Sequence, residues 1–258
     1  NPDSMRAALK ALAAIGRGTV RVRPRPRVVV MSTGSELVQP DEELGSGQIY
    51  DSNSFALTAC ARDAGAIAYR VGAVADDAET LRSTIEDQLV RADLLVTTGG
   101  VSVGAYDVVK EALSQVGDED EAGSGIEFRK LAMQPGKPQG FGSIGPDHIP
   151  LLAIPGNPVS SYVSFELFVR PAIRTLMGLD DVHRPRTRAT LTTGKALTSP
   201  KGRRQFLRGR YADGAVTPVG GAGSHLVAAL AQADALIVLP EDVESVEPGT
   251  EVEVVLLG

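Results

Sequence analysis

Residues Asp93 to Asp107 read DLLVTTGGVSVGAYD, and no other stretch of the chain says as much about its chemistry. A short apolar run, Leu94-Leu95-Val96, ends in Thr97-Thr98, and Gly99, Gly100 and Gly104 follow within six residues. An apolar-periodic segment, Tyr106 to Val116, comes next. The order is strand, glycine-rich loop, helix. Glycine lets backbone N–H groups turn toward one point, and a helix start adds unpaired N–H groups at the positive end of its dipole. Such a loop holds anions, phosphate above all. Asp107 beside it is a carboxylate in need of a reason, and a bridging metal ion supplies one.

The same rhythm runs outward on both sides. Val28 to Met31 is a buried-strand run ending in Thr33-Gly34-Ser35-Glu36. Asn53 to Ala64 reads as an apolar-striped helix stopped by Gly65, Ile67 to Val74 as a strand, and Asp76-Asp77 as the cap of a helix over 78–91. Downstream, 117–125 is an acidic surface loop, Phe128 to Met133 a strand leading into Gln134-Pro135-Gly136-Lys137-Pro138, and Ile149 to Ile154 a last buried strand ending in Pro155-Gly156-Asn157-Pro158. A long helix from Val159 to Met177 follows, with Pro171 expected to kink it. Alternating strands and helices predict an α/β fold, a three-layer, mostly parallel sheet domain over 27–180. From 181 to 258 short strands separated by turn residues predict a small all-β domain, a barrel or a sandwich. Residues 1–26, a short helix and an Arg/Pro segment, read as a linker left from a missing domain.

Bulk properties narrow the function. The chain has 258 residues, 43% hydrophobic and 22% charged, with a net charge of −6, which argues against a nucleic-acid binder. No apolar run approaches a membrane span and no secretory signal is visible, so a cytoplasmic protein is expected. The single cysteine, Cys60, cannot pair within the chain and reads as core. Two basic stretches, Arg17 to Arg27 and Lys201 to Arg210, read either as solvated surface or as a rim that attracts a polyanionic small ligand.

Four loops, at 33–36, 98–107, 134–138 and 155–158, stand at predicted strand ends, where open α/β sheets bind ligands. If the strands are parallel, the loops converge on one anion site. Glu36, Asp76 and Asp107 are carboxylates near that edge; Lys130 and Lys137 are cations. Carboxylates among phosphate-binding loops would repel the ligand without a divalent cation between them, and Mg²⁺ works through one or two carboxylates plus ligand oxygens. Asp76 reads equally well as a plain helix cap. His148, His183 and His225 show no metal spacing, and neither a G-x-S-x-G elbow nor a G-x-x-x-x-G-K-[ST] loop is present.

The ordered set STGSEL (32–37), GQIYDSNS (47–54), DD (76–77), TTGGVSVGAYD (97–107), KLAMQPGKP (130–138) and LLAIPGNPVSS (151–161) resembles the molybdopterin molybdenumtransferases, the MoeA and gephyrin E-domain family. The likeness continues through GRRQFLRG (202–209) and GAGSH (221–225). It implies insertion of molybdate into adenylylated molybdopterin, with Mg²⁺ and release of AMP, to give molybdenum cofactor. By position it implies that Glu36, Asp76 and Asp107 are acidic active-site and metal residues and that Lys130 and Lys137 are basic ones. Pterin and phosphate contacts then fall on Thr33, Gly34, Ser35, Gly99, Gly100, Ser102, Gly104, Pro135, Gly136, Gly156 and Asn157, with Arg208 and Ser224 contributed by the β domain. It further implies a homodimer in the complete protein and the molybdopterin adenylyltransferase as a partner.

The sequence departs from the family pattern in two ways. Gln134 stands where many members carry a second lysine, so a neutral amide removes one cation from the oxyanion site. The family's N-terminal regions are not recognisable here. Two other readings remain open: a pterin binder of the adenylyltransferase type, and a gephyrin-like scaffold that docks a partner.

Overall fold

The computed structural model describes residues 2–100, 111–112, 125–221, 223 and 227–258. The chain opens with helix α1 (Pro2–Ala14), whose side chains from Met5 onward are mostly exposed. It then builds β1 (Arg27–Thr33), the short strands β2 (Leu37–Val38) and β3 (Ile49–Tyr50), α2 (Asn53–Asp63), β4 (Ile67–Val74), α3 (Ala78–Leu89) and β5 (Leu94–Thr98). β6 (Gly125–Lys130), β7 (Met133–Gln134), β8 (Pro138–Ile144) and β9 (Ile149–Ile154) follow.

The main sheet has six strands in the order β4-β1-β5-β9-β8-β6. The first four are mutually parallel. β8 runs antiparallel to both β9 and β6, so β6 points the same way as β9. Strands buried on both faces need apolar side chains at every position, and β1 shows why. Val28 and Val30 enter one core with Leu57 of α2, while Val29 and Met31 enter the other with Leu81 and Ile85 of α3. That alternation is the strand's two-residue period, and it yields three layers.

A helical run closes the first core, contributing Phe165, Val169 and Ile173. It is α4 (Pro158–Ser164), a π-helical turn (Phe165–Val169) and α5 (Arg170–Leu176). Pro171 has no N–H to give the carbonyl four residues back. The irregularity falls on the turn before it, where the N–H of Arg170 donates to Phe165 O. The expected kink therefore takes the form of a widened turn.

The remaining elements are β10 (Arg186–Leu191), β11 (Leu197–Thr198), β12 (Arg204–Ala212), β13 (Ala215–Pro218), α6 (Val227–Leu230), β14 (Ala235–Leu239), β15 (Ser245–Val246) and β16 (Glu251–Leu256). β13, β10, β16, β14 and β12 pair in sequence and β12 returns to β13. This is a closed five-stranded barrel, which resolves the choice between barrel and sandwich. Ala189, Leu191, Val216, Ile237 and Val254 fill it.

β7 leaves the α/β domain and pairs in parallel with the barrel strand β12, Met133 opposite Arg204 and Gln134 opposite Gln205. The strand expected over 128–133 is thus two strands, one in each sheet. Between the domains, Arg184 donates to the carboxylate of Glu166 in the π turn, at 2.7 Å from Nε, with Glu166 only 2% exposed.

The Arg/Pro segment is fastened to the α/β domain. Arg25 donates to Gly65 O and Ala66 O at the end of α2, and Arg27 pairs with Asp93 at 2.8 Å. Cys60 packs against the α2 core, and burial pushes its thiol pKa up to about 12. Among the described residues no helix is long and apolar enough to cross a membrane.

Candidate functional site

The carboxyl ends of β1, β5, β9 and β6 lie along one edge of the sheet, and the loops that leave them surround a cleft of about 590 Å³. Its walls include Thr33, Glu36, Asp76, Gly99, Gly100, Gln134 to Pro138, and Pro155 to Pro158. All four loops singled out by composition contribute. The intervening antiparallel β8 does not disturb the convergence, because two reversals restore the direction of β6.

Glycine at the floor is dictated by contact. Gly99 has φ +98°, and a Cβ there would come within 2.2 Å of Thr33 O. On the other side, a Cβ on Gly156 would stand 3.1 Å from Gly99 Cα. Three strand ends can approach this closely only without side chains. Hydrogen bonds fix the arrangement: Thr98 Oγ1 donates to Pro155 O (3.0 Å), and Asn53 Nδ2 donates to Gly156 O (2.6 Å). Asn53 is held by the Ser161 hydroxyl at its Oδ1 (3.2 Å).

Asp51, 1% exposed, anchors the front of the same wall. Its Oδ1 accepts from Ser32 Oγ (2.7 Å) and Ser54 N (3.1 Å), and its Oδ2 from Ser54 Oγ. Both Asp51 and Asn53 belong to the GQIYDSNS stretch, 47–54. An aspartate three residues before a helical Ser N–H is a capping signal, and that signal was readable.

Two carboxylates, Glu36 and Asp76, line the cleft. Asp76 donates its backbone N–H to Ser35 Oγ (3.1 Å), while its buried Oδ1 has no hydrogen-bond partner. Burial, and then the charge of Glu36, hold the Asp76 carboxyl above the ordinary carboxylate range. The helix cap is Asp77, whose Oδ2 accepts from Thr80 N (2.8 Å), so Asp76 is free of that duty. An orphaned buried oxygen beside a second carboxylate suits a hard divalent cation. Among the described residues no group of three or more ligating side chains forms a metal cluster.

The opposite wall is the Pro-Gly-Lys turn, entered by a cis Gln134–Pro135 peptide. Gln139 Nε2 donates to Gly136 O (2.7 Å) and to Ser164 Oγ of α4 (2.6 Å), which pins the turn from behind. Lys137 is exposed, lines the cleft and has no ion-pair partner among the described residues. Asn157 precedes α4 and makes no side-chain cap, leaving its amide available at the cleft.

Two known families match the chain. Residues 29–175 match the family described as a probable molybdopterin binding domain, and residues 190–257 match the MoeA C-terminal region, domain IV. The chain belongs to the MoeA family. It is 46% identical over 252 residues to molybdopterin molybdenumtransferase 2 of Mycobacterium tuberculosis, covering 96% of this chain and 60% of that one. Molybdopterin molybdenumtransferase 1 of the same organism is 41% identical, over 98% and 59%. The crystal structure of a MoeA protein from Pyrococcus horikoshii superposes with TM-score 0.79 at 32% identity, over 96% of this chain and 59% of that one. The chain therefore spans about three-fifths of the length of the MoeA relatives it matches.

Not every residue implied by the MoeA resemblance reaches the cleft. Lys130 is exposed at the end of β6 and is not among the lining residues. Gly34 and Ser35 act behind the wall, Gly34 N donating to Val74 O. Arg208 is 4% exposed and donates to Gly221 O and Gly223 O within the barrel domain. Ser102, Gly104, Asp107 and Ser224 lie outside the described residues, as do most of the helix expected over 106–116 and the acidic loop. Of the second basic stretch, Lys201 pairs with Glu244, Arg204 with Glu241, and Arg210 reaches Gln232 O. Arg203 lines the cleft.

Proposed function

We propose that this chain forms the ligand cleft of a molybdopterin molybdenumtransferase, which inserts molybdate into adenylylated molybdopterin and releases AMP. One observation carries the reading: four strand-end loops line a single cleft with carboxylates at one end and cations at the other. In this reading residues 27–180 are the pterin-binding unit and 181–258 the β domain. The complete protein is a cytoplasmic homodimer that receives its substrate from the adenylyltransferase.

The chemistry brings several negative charges together, so catalysis rests on positioning and charge neutralisation. Gly99, Gly100 and Gly156 let backbone approach the pterin phosphate, and Lys137 neutralises oxyanion charge. Glu36 and Asp76, with Asp107, would hold Mg²⁺, which supplies neutralisation of phosphate charge when bound. Asp51 and Asn53 hold the loop walls at fixed separation.

The test is Asp107→Ala in the full-length protein, which abolishes molybdate-dependent AMP release. Release at the parent rate would show that the carboxylate has no part in the reaction.

A further inference from the structure

Helix α4 carries the serines Ser160, Ser161 and Ser164, each at most 4% exposed. Serine is a weak helix former and is seldom buried, so buried serines on a short helix need a task. Ser161 and Ser164, three residues apart, share one face of α4. The Ser161 hydroxyl donates to Asn53 Oδ1, and Asn53 in turn holds Gly156 O on the glycine wall of the cleft. Ser164 Oγ accepts from Gln139 Nε2, which also donates to Gly136 O at 2.7 Å. Gln139 is 6% exposed. Asn53, Gly136, Lys137 and Gly156 line the cleft, whereas Gln139, Ser161 and Ser164 stand behind it.

We propose that Gln139 is the positioning residue for Lys137 and that Ser164 braces it. Resting on the functional reading above, this role concerns how the cleft presents its lysine. Gly136 has φ +102° and, without a Cβ, little preference between the two signs of φ. The orientation of the peptide that joins it to Lys137 must therefore be set from outside. Leu131 N donates to Lys137 O at 2.7 Å, which holds the far side of the turn. Only the Gln139 amide holds the Gly136 carbonyl, and so the peptide plane that precedes Lys137. Ser164 takes the second N–H of that amide and stops it rotating. A Cβ on Gly136 would stand 2.9 Å from Met133 Cε, 3.0 Å from Ser164 Oγ and 3.3 Å from Gln139 Nε2, so the turn is seated directly on these groups. Without the Gln139 bond the peptide can turn over and swing the ammonium group away from the cleft. Through its two serines α4 ties the glycine wall and the Pro-Gly-Lys turn to one rigid element.

Affinity of the complete protein for adenylylated molybdopterin, measured by calorimetry at two ionic strengths, tests this in the parent, Gln139→Met, Lys137→Ala and the double variant. Methionine keeps the length of glutamine and removes both donors. Val254→Ala, inside the barrel, controls for a general loss of stability. Gln139→Met is expected to raise Kd about fivefold, the scale of one hydrogen bond. It also lowers the salt dependence of binding, as Lys137→Ala does. In the Lys137→Ala background it has no further effect, and Val254→Ala binds as the parent does at both ionic strengths. A purely structural role would neither change the salt dependence nor depend on Lys137. Should Gln139→Met fail to fold, Ser164→Ala removes the brace alone and decides by the same comparison, with an expected rise in Kd of about twofold. Parent-like binding by Gln139→Met, or a loss that adds in full to that of Lys137→Ala, overturns the role of Gln139 and leaves the functional reading intact. Parent-like binding by Lys137→Ala overturns it as well, since no charge is then being positioned. A parent that does not bind the ligand overturns both.

Discussion

A Cβ placed on Gly99 would lie 2.2 Å from the carbonyl oxygen of Thr33, so the ends of β1 and β5 meet with no room for a side chain. Gly99→Ala must move one strand end and also strain a backbone at φ +98°. We expect it to cost about 2 kcal/mol or more and to weaken binding of adenylylated molybdopterin. Gly194→Ala is the contrast: nothing lies within 4 Å and its φ is ordinary, so stability should change by less than about 0.5 kcal/mol. Chemical denaturation of both variants checks the pair.

Asp76 gives a prediction in pH. Its native pKa is raised, so the folded chain takes up a proton more readily than the unfolded one. The metal-free protein then gains stability as pH falls through the native value, the gain being complete below the ordinary aspartate value of ~3.9. Asp76→Asn is neutral throughout. Without Mg²⁺ it should melt above the parent at pH 7, with the difference closing toward pH 4. Added Mg²⁺ should raise the melting temperature of the parent more than that of the variant. A variant that melts below the parent at pH 7 without metal would contradict the account of Asp76.

The two lysines implied by the resemblance should separate. Lys137 lines the cleft and Lys130 does not. Removing Lys137 as alanine should raise the KM for the anionic substrate about tenfold, the scale of one charged hydrogen bond. Lys130→Ala should change it less than twofold, about the size of a screened surface charge. Steady-state kinetics at fixed ionic strength distinguishes them.

Glu166 and Arg184 form an ion pair with side chains 2% and 15% exposed. Glu166→Ala leaves the poorly hydrated Arg184 guanidinium with the exposed Asp63 at 3.6 Å and should destabilise by about 3 kcal/mol. The exposed pair Arg188–Glu251 should contribute less than about 1 kcal/mol. Thermal unfolding of Glu166→Ala and Glu251→Ala compares the two sites.

The legibility of the fold follows from where the apolar residues sit. β1, β5 and β9 are buried on both faces and announce themselves as short apolar runs, and α2 ends at Gly65 as its residue type suggests. β8 was not readable. Its Gly140 and Gly142 lower strand propensity, yet Cβ atoms there would strike Phe128 and the backbone of Gly125 in the neighbouring β6. The glycines that hide the strand are the ones its packing requires. The cleft was legible as four unusual loops because each follows a strand end. Arg203 was visible only as one arginine in a basic stretch, since its place depends on β12 pairing with β7 across domains. Asp76 and Asp77 were indistinguishable until the hydrogen bond to Thr80 N assigned the cap to Asp77.

Titration of adenylylated molybdopterin into this chain, with and without Mg²⁺, measures whether the strand-end cleft binds that ligand. We predict saturable binding at one site per chain, tightened by Mg²⁺ in the parent and weakened in Gly99→Ala. Binding that is absent, or equal in Gly99→Ala and indifferent to Mg²⁺, would contradict it.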